Sequence, residues 1–195
     1  MIIALLHMTA STALAMDIGL GHISDTVTDD SQPRPGDTLH LAAPRGGHAT
    51  GVIVVRGAPA AAQARLGRDG LRQGRAHQLD DAVAILYGSR HSDLGPDRGR
   101  DDSQSPYYDV LAPAPVEATQ VLPIYVHVVI PEDARPGTYS GTIEVRGARA
   151  SKSFDLRVDV SSFVLPPPQD RLAWVDMLQS PDSVAYRYGV PLYSR

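Results

Sequence analysis

The sequence predicts an all-β fold, a two-sheet antiparallel β-sandwich followed by a short βα fragment of an incomplete (β/α)8 barrel. Three observations lead to this prediction. Short apolar segments recur between residues 38 and 160, several with the period-2 alternation of a half-buried strand. Turns rich in glycine and proline separate these segments, and no long helical period occurs before Pro166. Because a βαβ fold needs a crossover helix, packed antiparallel sheets are expected instead.

The first two predicted strands are residues 38–43 and 48–56, and the second contains the β-branched run 52–55. The turn between them, residues 44–47, begins with a proline that fixes φ and ends with glycines that tolerate positive φ. The chain can therefore reverse its direction there. We expect these two strands to form one hairpin.

The following segment is less regular. Residues 58–66 are rich in alanine and lie between Gly57 and Gly67, so the pattern is compatible with a helical turn or with an edge strand. Residues 82–87 predict a clear strand. Residues 88–105 contain almost no apolar side chains, which indicates a long exposed loop.

The most regular pattern begins at Val121. The strand that it opens, up to residue 130, is apolar on both faces, so both faces are expected to be largely covered. A turn at residues 131–137 leads to two further strands, residues 138–146 and 152–160. The link between these two strands is short enough for a hairpin.

The first fifteen residues predict export. Residues 1–15 are apolar and end in Ala13-Leu14-Ala15, the small-x-small pattern that signal peptidase accepts. A cleaved signal peptide implies a secreted or periplasmic protein. The basic n-region of a signal peptide is missing, so a buried first strand or a misplaced start codon is the alternative.

The rest of the chain divides at a run of prolines. Residues 16–165 are the predicted sandwich domain, and residues 166–168 are three prolines that favour a stiff, extended linker. Residues 169–195 then contain one strand pattern and one helix start, the first unit of a barrel that needs eight. One unit cannot bury itself, so we interpret this segment as the truncated start of a catalytic barrel.

Composition narrows the range of functions. The chain has 43% apolar residues and a formal net charge of −4, with no broad basic surface for a nucleic acid or a membrane. After residue 15, no segment reaches the roughly 20 apolar residues of a membrane span. Cysteine is absent, which removes disulfides and thiolate sites. We predict no cofactor, no metal site and no nucleic-acid partner.

Two sequence patterns mark the end of the predicted sandwich. The first is a hairpin pattern filled by Val129, Pro131, Asp133, Ala134, Pro136, Gly137, Tyr139 and Gly141. The second is an exit pattern filled by Phe163, Leu165 and Pro166. Together they resemble the N-terminal β-sandwich of secreted bacterial glycoside hydrolases similar to family 123, the β-N-acetylgalactosaminidase-like enzymes. The resemblance extends over most of residues 38–194.

This resemblance implies a catalytic (β/α)8 barrel in cis as the partner of the sandwich. It also implies that the catalytic Asp-Glu pair of the barrel lies beyond Arg195, so no residue of this chain is predicted to be catalytic. Glycoside hydrolysis usually needs two positioned carboxyl groups, or one with the substrate's acetamido group. We interpret Glu117, Glu132 and Glu144 as solvated surface, since no constellation surrounds them.

Three other groups of residues have chemistry that could serve a site. An acidic loop could bind calcium, but arginines among its aspartates favour a solvated loop. The loop contains Asp93, Asp97, Asp101 and Asp102 together with Arg90, Arg98 and Arg100. No histidines have metal-ligand spacing, so His127 is interpreted as a hydrogen-bonded strand histidine. Tyr107 and Tyr108, with Asp109, could form a sugar-stacking lip, although anchoring of the loop to the sheet is favoured.

The leading hypothesis is a non-catalytic accessory domain of a glycoside hydrolase that acts on glycans containing N-acetylhexosamine. A carbohydrate-binding sandwich is the first alternative. It would need an exposed aromatic row, and only 6% of the residues are aromatic. The second alternative is an independent glycosidase with an unrecognised site.

Overall fold

The computed structural model describes residues 16–57, 62–89, 108, 110–115, 120–148, 150–167 and 170. The described elements are all strands apart from one 3-10 turn at Asp80–Ala82. The strands are β1 (Asp17–Leu20), β2 (Thr38–Arg45), β3 (His48–Arg56), β4 (Gln63–Leu66), β5 (Arg72–Gln73), β6 (His77–Gln78), β7 (Val83–Ser89), β8 (Val110–Ala112), β9 (Val121–Val129), β10 (Gly137–Arg146) and β11 (Ser151–Val164). The prediction of an all-β fold is confirmed.

These strands form two sheets. The five-stranded sheet has the order β1-β3-β9-β7-β8, and each neighbouring pair in it is antiparallel. The second sheet has the order β2-β11-β10-β5-β6, with β4 also paired to β10. The main core lies where the apolar faces of the two sheets meet, which is the arrangement of a sandwich.

Strand β11 shows the period-2 pattern that the sequence predicts for residues 152–160. Phe154, Leu156, Val158 and Val160 are buried in the main core, while the residues between them lie on the outer face. The hairpin between β10 and β11 is also confirmed, with Arg146 opposite Ser151 in the register. The strand continues to Val164, beyond the predicted end.

Strand β3 is buried on both of its faces. Ile53 and Val55 belong to the main core, and Val52 and Val54 belong to a smaller apolar cluster on the other side of the sheet. Val27 covers this second cluster from the segment that follows β1. A strand that is covered on both faces needs apolar residues at consecutive positions, which explains the β-branched sequence of residues 52–55.

The predicted hairpin of residues 38–43 and 48–56 is wrong. Strand β2 pairs with β11 and strand β3 pairs with β1 and β9, so the turn between them crosses from one sheet to the other. The turn is bonded to the end of β9, because the Gly46 N–H donates to the Ile130 carbonyl at 2.9 Å and the Ile130 N–H donates to the Gly47 carbonyl at 2.8 Å. Gly46 has a φ of 70°, which glycine adopts readily.

The expectation of purely antiparallel sheets is also wrong in one place. Strand β2 runs parallel to β11, from Thr38 opposite Asp155 to Ala43 opposite Val160. The first and last long strands of the sandwich therefore lie side by side. A register shift follows between Val160 and Val164, and the exit of the chain begins there.

The remaining predictions have mixed outcomes. Residues 63–66, left open between a helical turn and an edge strand, form β4 on the edge of β10. The strand predicted at residues 82–87 is β7. Several predicted segments lie outside the described residues. They are residues 1–15 of the predicted signal peptide, residues 90–105 of the predicted loop, residue 168 of the predicted linker, and residues 169 and 171–195 of the predicted barrel start.

Candidate functional site

The three glutamates considered for catalysis do not converge in the part of the chain that the structure describes. Glu132 is exposed in the turn after β9. Glu144, on β10, accepts hydrogen bonds from Arg65 Nε at 3.0 Å and Nη2 at 2.7 Å, and it pairs with Arg146 at 3.2 Å. Glu117 lies outside the described residues.

The arginines around Glu144 set the charge state of its carboxyl group. The hydrogen bond from Arg65 lowers the pKa of Glu144, and the charges of Arg65 and Arg146 act in the same direction. Arg65 belongs to β4, whose register places it directly opposite Glu144. This ion pair therefore joins the edge strand to the sheet, a structural role on an exposed face.

A second carboxylate network, which no sequence pattern predicted, lies on the outer face of the same sheet. Asp159 of β11 accepts a hydrogen bond from Thr138 Oγ1 at 2.6 Å, and its other oxygen lies 2.6 Å from His40 Nε2. Thr138 lies on β10 and His40 on β2, so one aspartate bridges three strands. The hydrogen bond from Thr138, followed by that from His40, lowers the pKa of Asp159.

Two histidines lie together at one end of the five-stranded sheet. His127 is half-buried, and its Nδ1 is hydrogen-bonded to the Thr50 hydroxyl at 2.8 Å. The His48 ring lies with its centroid 5.3 Å from that of His127. The interpretation of His127 as a hydrogen-bonded strand histidine is confirmed. Among the described residues, no three His, Asp or Glu side chains are grouped closely enough to hold a metal ion.

Tyr108 has the anchoring role that the sequence favoured. It is 1% exposed, its hydroxyl donates to the Asp29 carboxylate at 2.5 Å, and its backbone N–H donates to the Val27 carbonyl at 3.0 Å. A ring buried in this way cannot stack on a sugar. Tyr107, Asp109 and the aspartates of the predicted acidic loop lie outside the described residues.

A depression of about 490 Å³ lies beside the segment after β1. Its polar lining includes Asp25 and Arg34, which form an ion pair at 2.6 Å, and His22, whose Nδ1 accepts the Ser24 N–H. Val54 also lines it. The two charged side chains of the depression are thus already paired with each other.

The chain leaves the sandwich at an end that is apolar and exposed. We call this the exit end and define it by Val129, Phe163, Val164 and Leu165. The Leu165 N–H donates to the Arg45 carbonyl at 2.8 Å, so the exit strand stays bonded alongside β2. Phe163 is 59% exposed, Val129 is 50% exposed and Val164 is 37% exposed.

A second depression adjoins the end of β11, with a volume of about 380 Å³. Its lining is mainly apolar and includes Ala42, Pro44 and Val160. The register of β2 and β11 brings these residues next to the register shift that precedes Val164. The lining also includes Asp159 and Ser161.

No helix among the described residues is long and apolar enough to cross a membrane. No family model matches the sequence, and no curated protein matches it.

Among solved structures, the chain is similar to a family 123 glycoside hydrolase from Clostridium perfringens, with a TM-score of 0.62 and 17% identity. The similarity covers 91% of this chain and 33% of that enzyme, whose structure was described for the hydrolysis of glycolipid glycans. A β-glucosidase from Listeria innocua matches with a TM-score of 0.30 and 8% identity, over 77% of this chain and 16% of that one. The M1 domain from titin matches with a TM-score of 0.25 and 14% identity, over 76% of this chain and 96% of that one.

The last two likenesses are too weak to carry an argument. The similarity to the clostridial enzyme aligns this chain with about a third of the length of that larger protein. The chain therefore has the fold of one part of a family 123 glycoside hydrolase, in agreement with the resemblance of its hairpin and exit patterns.

Proposed function

We propose that this chain carries the non-catalytic accessory β-sandwich of a secreted glycoside hydrolase similar to family 123, acting on glycans that contain N-acetylhexosamine. One observation carries the proposal. The similarity to the clostridial enzyme covers nearly all of this chain and only a third of that enzyme, so most of its length lies outside the matched part. In the proposal, the corresponding part of the parent protein is the catalytic barrel.

The chemistry of the described carboxylates supports a non-catalytic role. A general acid in a glycosidase needs a raised pKa, so that it holds its proton near neutral pH. The pKa shifts of Glu144 and Asp159 have the opposite direction, because arginine, threonine and histidine donors stabilise the charged form. Both carboxylates lie on the outer face of the second sheet, where their hydrogen bonds link neighbouring strands.

The architecture suits a module that holds another domain. Its chain leaves β11 along an exit strand that is hydrogen-bonded to β2. A fixed exit followed by the stiff proline linker would set the position of whatever follows. The accessory role is therefore to support and orient the barrel rather than to perform the hydrolysis.

The genomic DNA downstream of the codon for Arg195 provides the direct test of the parent protein. We expect an open reading frame that continues with alternating strand and helix patterns and contains an adjacent Asp-Glu pair after a barrel strand. An in-frame continuation without barrel units, or a second sandwich in their place, would contradict the proposal.

A further inference from the structure

We propose that His48 and His127 form a surface site for a divalent transition-metal ion, and that Zn²⁺ is an ion that fits its geometry. The inference goes beyond the proposed function and does not depend on it. The site lies on the outer face of the five-stranded sheet, at the end where β3 begins and β9 ends.

The register of β3 and β9 brings the two histidines to the same face of the sheet. Thr50 lies directly opposite His127, and His48 precedes Thr50 by two positions, so strand alternation places all three on one face. That face is the outer one, because Val52 and Val54 continue the same alternation and belong to the smaller apolar cluster. The two histidines are therefore diagonal neighbours on adjacent strands. A spacing rule along the sequence does not reveal such a pair, and the site departs from the sequence-based expectation of no metal.

The separation of the two rings suits ligands of a single ion. The ring centroids of His48 and His127 are 5.3 Å apart, and the ring planes are inclined at 45°. Zinc binds imidazole nitrogen at about 2.0–2.1 Å in tetrahedral geometry, which places the centroids of two such rings about 5 Å apart. His48 is exposed, so its side chain is free to turn one ring nitrogen towards an ion shared with His127.

A hydrogen bond determines which nitrogen of His127 is left for an ion. The Nδ1 atom lies 2.8 Å from the Thr50 hydroxyl oxygen and is hydrogen-bonded to it. With Nδ1 engaged in this way, Nε2 is the nitrogen available for a metal. Histidine ligands of metal sites commonly bond their other ring nitrogen to a nearby oxygen, which orients the ring. Thr50 is thus a positioning residue of the site.

The surroundings of this pair differ from those of other described histidines. His40 Nε2 is bonded to a carboxylate, and His77 Nε2 lies 3.1 Å from an arginine guanidinium. In the described structure, neither the His48 ring nor Nε2 of His127 has a hydrogen-bond partner. The neighbour of His127 on its other side is Ala84, which carries no charge that would repel a cation.

Two imidazoles make an open site of modest affinity. No third His, Asp or Glu of the described residues completes a group of three, so water would fill the remaining positions of the ion. His48 and His127 lie on different strands and far apart in the sequence, so only the folded chain brings both to one ion. An ion that binds the folded chain more tightly than the unfolded chain raises the melting temperature.

The test is a titration of the full-length chain with zinc chloride, followed by calorimetry and by thermal unfolding. At a zinc concentration about tenfold above the Kd, we expect the melting temperature to rise by about 3 °C. Either His48→Ala or His127→Ala should lower the zinc affinity at least about tenfold and remove this rise. His40→Ala is the matched control and should respond to zinc as the wild type does. Magnesium chloride should have no effect, because magnesium prefers oxygen ligands.

Thr50 variants test the orientation of His127 with both ligands in place. Thr50→Val should weaken zinc binding several-fold, and Thr50→Ser, which keeps the hydroxyl, should restore it. Equal zinc affinity and equal melting shifts in the wild type, His48→Ala and His127→Ala would overturn the proposal. Loss of the shift in His40→Ala alone would overturn it in favour of the Asp159 network. A shift that disappears when the protein is diluted at constant zinc would overturn it in favour of a site between two copies.

Discussion

Asp159 shows how single side chains connect the strands of this sandwich. Its two oxygens are shared between Thr138 and His40, which belong to the strands on either side of β11. The sequence places Asp155, Arg157 and Asp159 on the outer face of β11 by alternation alone. It could not predict the network, because nothing in the sequence shows that β2 lies beside β11.

The network predicts a specific pH dependence. The pKa of Asp159 in the folded chain lies below its ordinary value of 3.8, so its stabilising contribution is present above that pH and is lost as the pH falls through the folded value. Thermal unfolding across the acid range should show this loss in the wild type and a weaker one in Asp159→Asn. Asp155→Asn is the control, since Asp155 has no side-chain hydrogen bond in the described structure. Identical pH profiles for wild type and Asp159→Asn would contradict the network.

Gly137 has a backbone conformation that favours glycine. It opens β10 with a φ of 125°, and an added Cβ would meet the side-chain amide of Gln73. Gly137→Val should therefore destabilise the fold by about 1 to 3 kcal/mol. Ser140→Val, at an exposed position of the same strand, should stay within about 0.5 kcal/mol of the wild type. Chemical denaturation measures the free energy of unfolding of both variants. An unchanged denaturation midpoint for Gly137→Val would contradict the prediction that a side chain at this position strains the backbone.

At the scale of elements, the sequence predicts strands better than their partners. The apolar periods locate β3, β7, β9, β10 and β11 because burial dictates them locally. The pairing of β2 with β11 depends on contacts between residues more than a hundred positions apart, and a local sequence pattern carries no information about such contacts. The turn at residues 44–47 has the residues of a hairpin, yet its hydrogen bonds go to Ile130. Turn chemistry allows a reversal without specifying which sheet receives the next strand.

Strand β1 gives the signal-peptide prediction a structural context. It begins at Asp17 and pairs with β3, and Met16 packs against the main core. Cleavage after Ala15 would leave these residues in place. We expect protein recovered from the periplasm or medium of an expressing bacterium to have Met16 at its N-terminus by mass spectrometry. Ala13→Arg should block the cleavage, and intact Met1 on folded, exported wild-type protein would contradict the prediction.

At the scale of the whole molecule, the described core is complete before the linker. Every buried apolar residue of the described structure lies between Ile18 and Val160. Ending the chain at Pro168 should therefore change the free energy of unfolding by less than about 1 kcal/mol, the scale of surface changes. Ending it at Arg157 removes Val158 and Val160 from the core and should abolish cooperative unfolding. Loss of cooperative unfolding by the chain ending at Pro168 would show that residues 169–195 belong to the sandwich.

The central claim is that this sandwich supports a glycosidase without hydrolysing glycosides itself. The most direct measurement is the turnover of a chromogenic N-acetylgalactosaminide by the purified chain. The account predicts no turnover above background, because the hydrogen bonds that Glu144 and Asp159 accept lower the pKa of both carboxyl groups, and no pair of carboxyl groups positioned for glycoside hydrolysis occurs among the described residues. Reproducible turnover that a single substitution such as Glu144→Gln or Asp159→Asn abolishes would contradict the account and establish an independent enzyme.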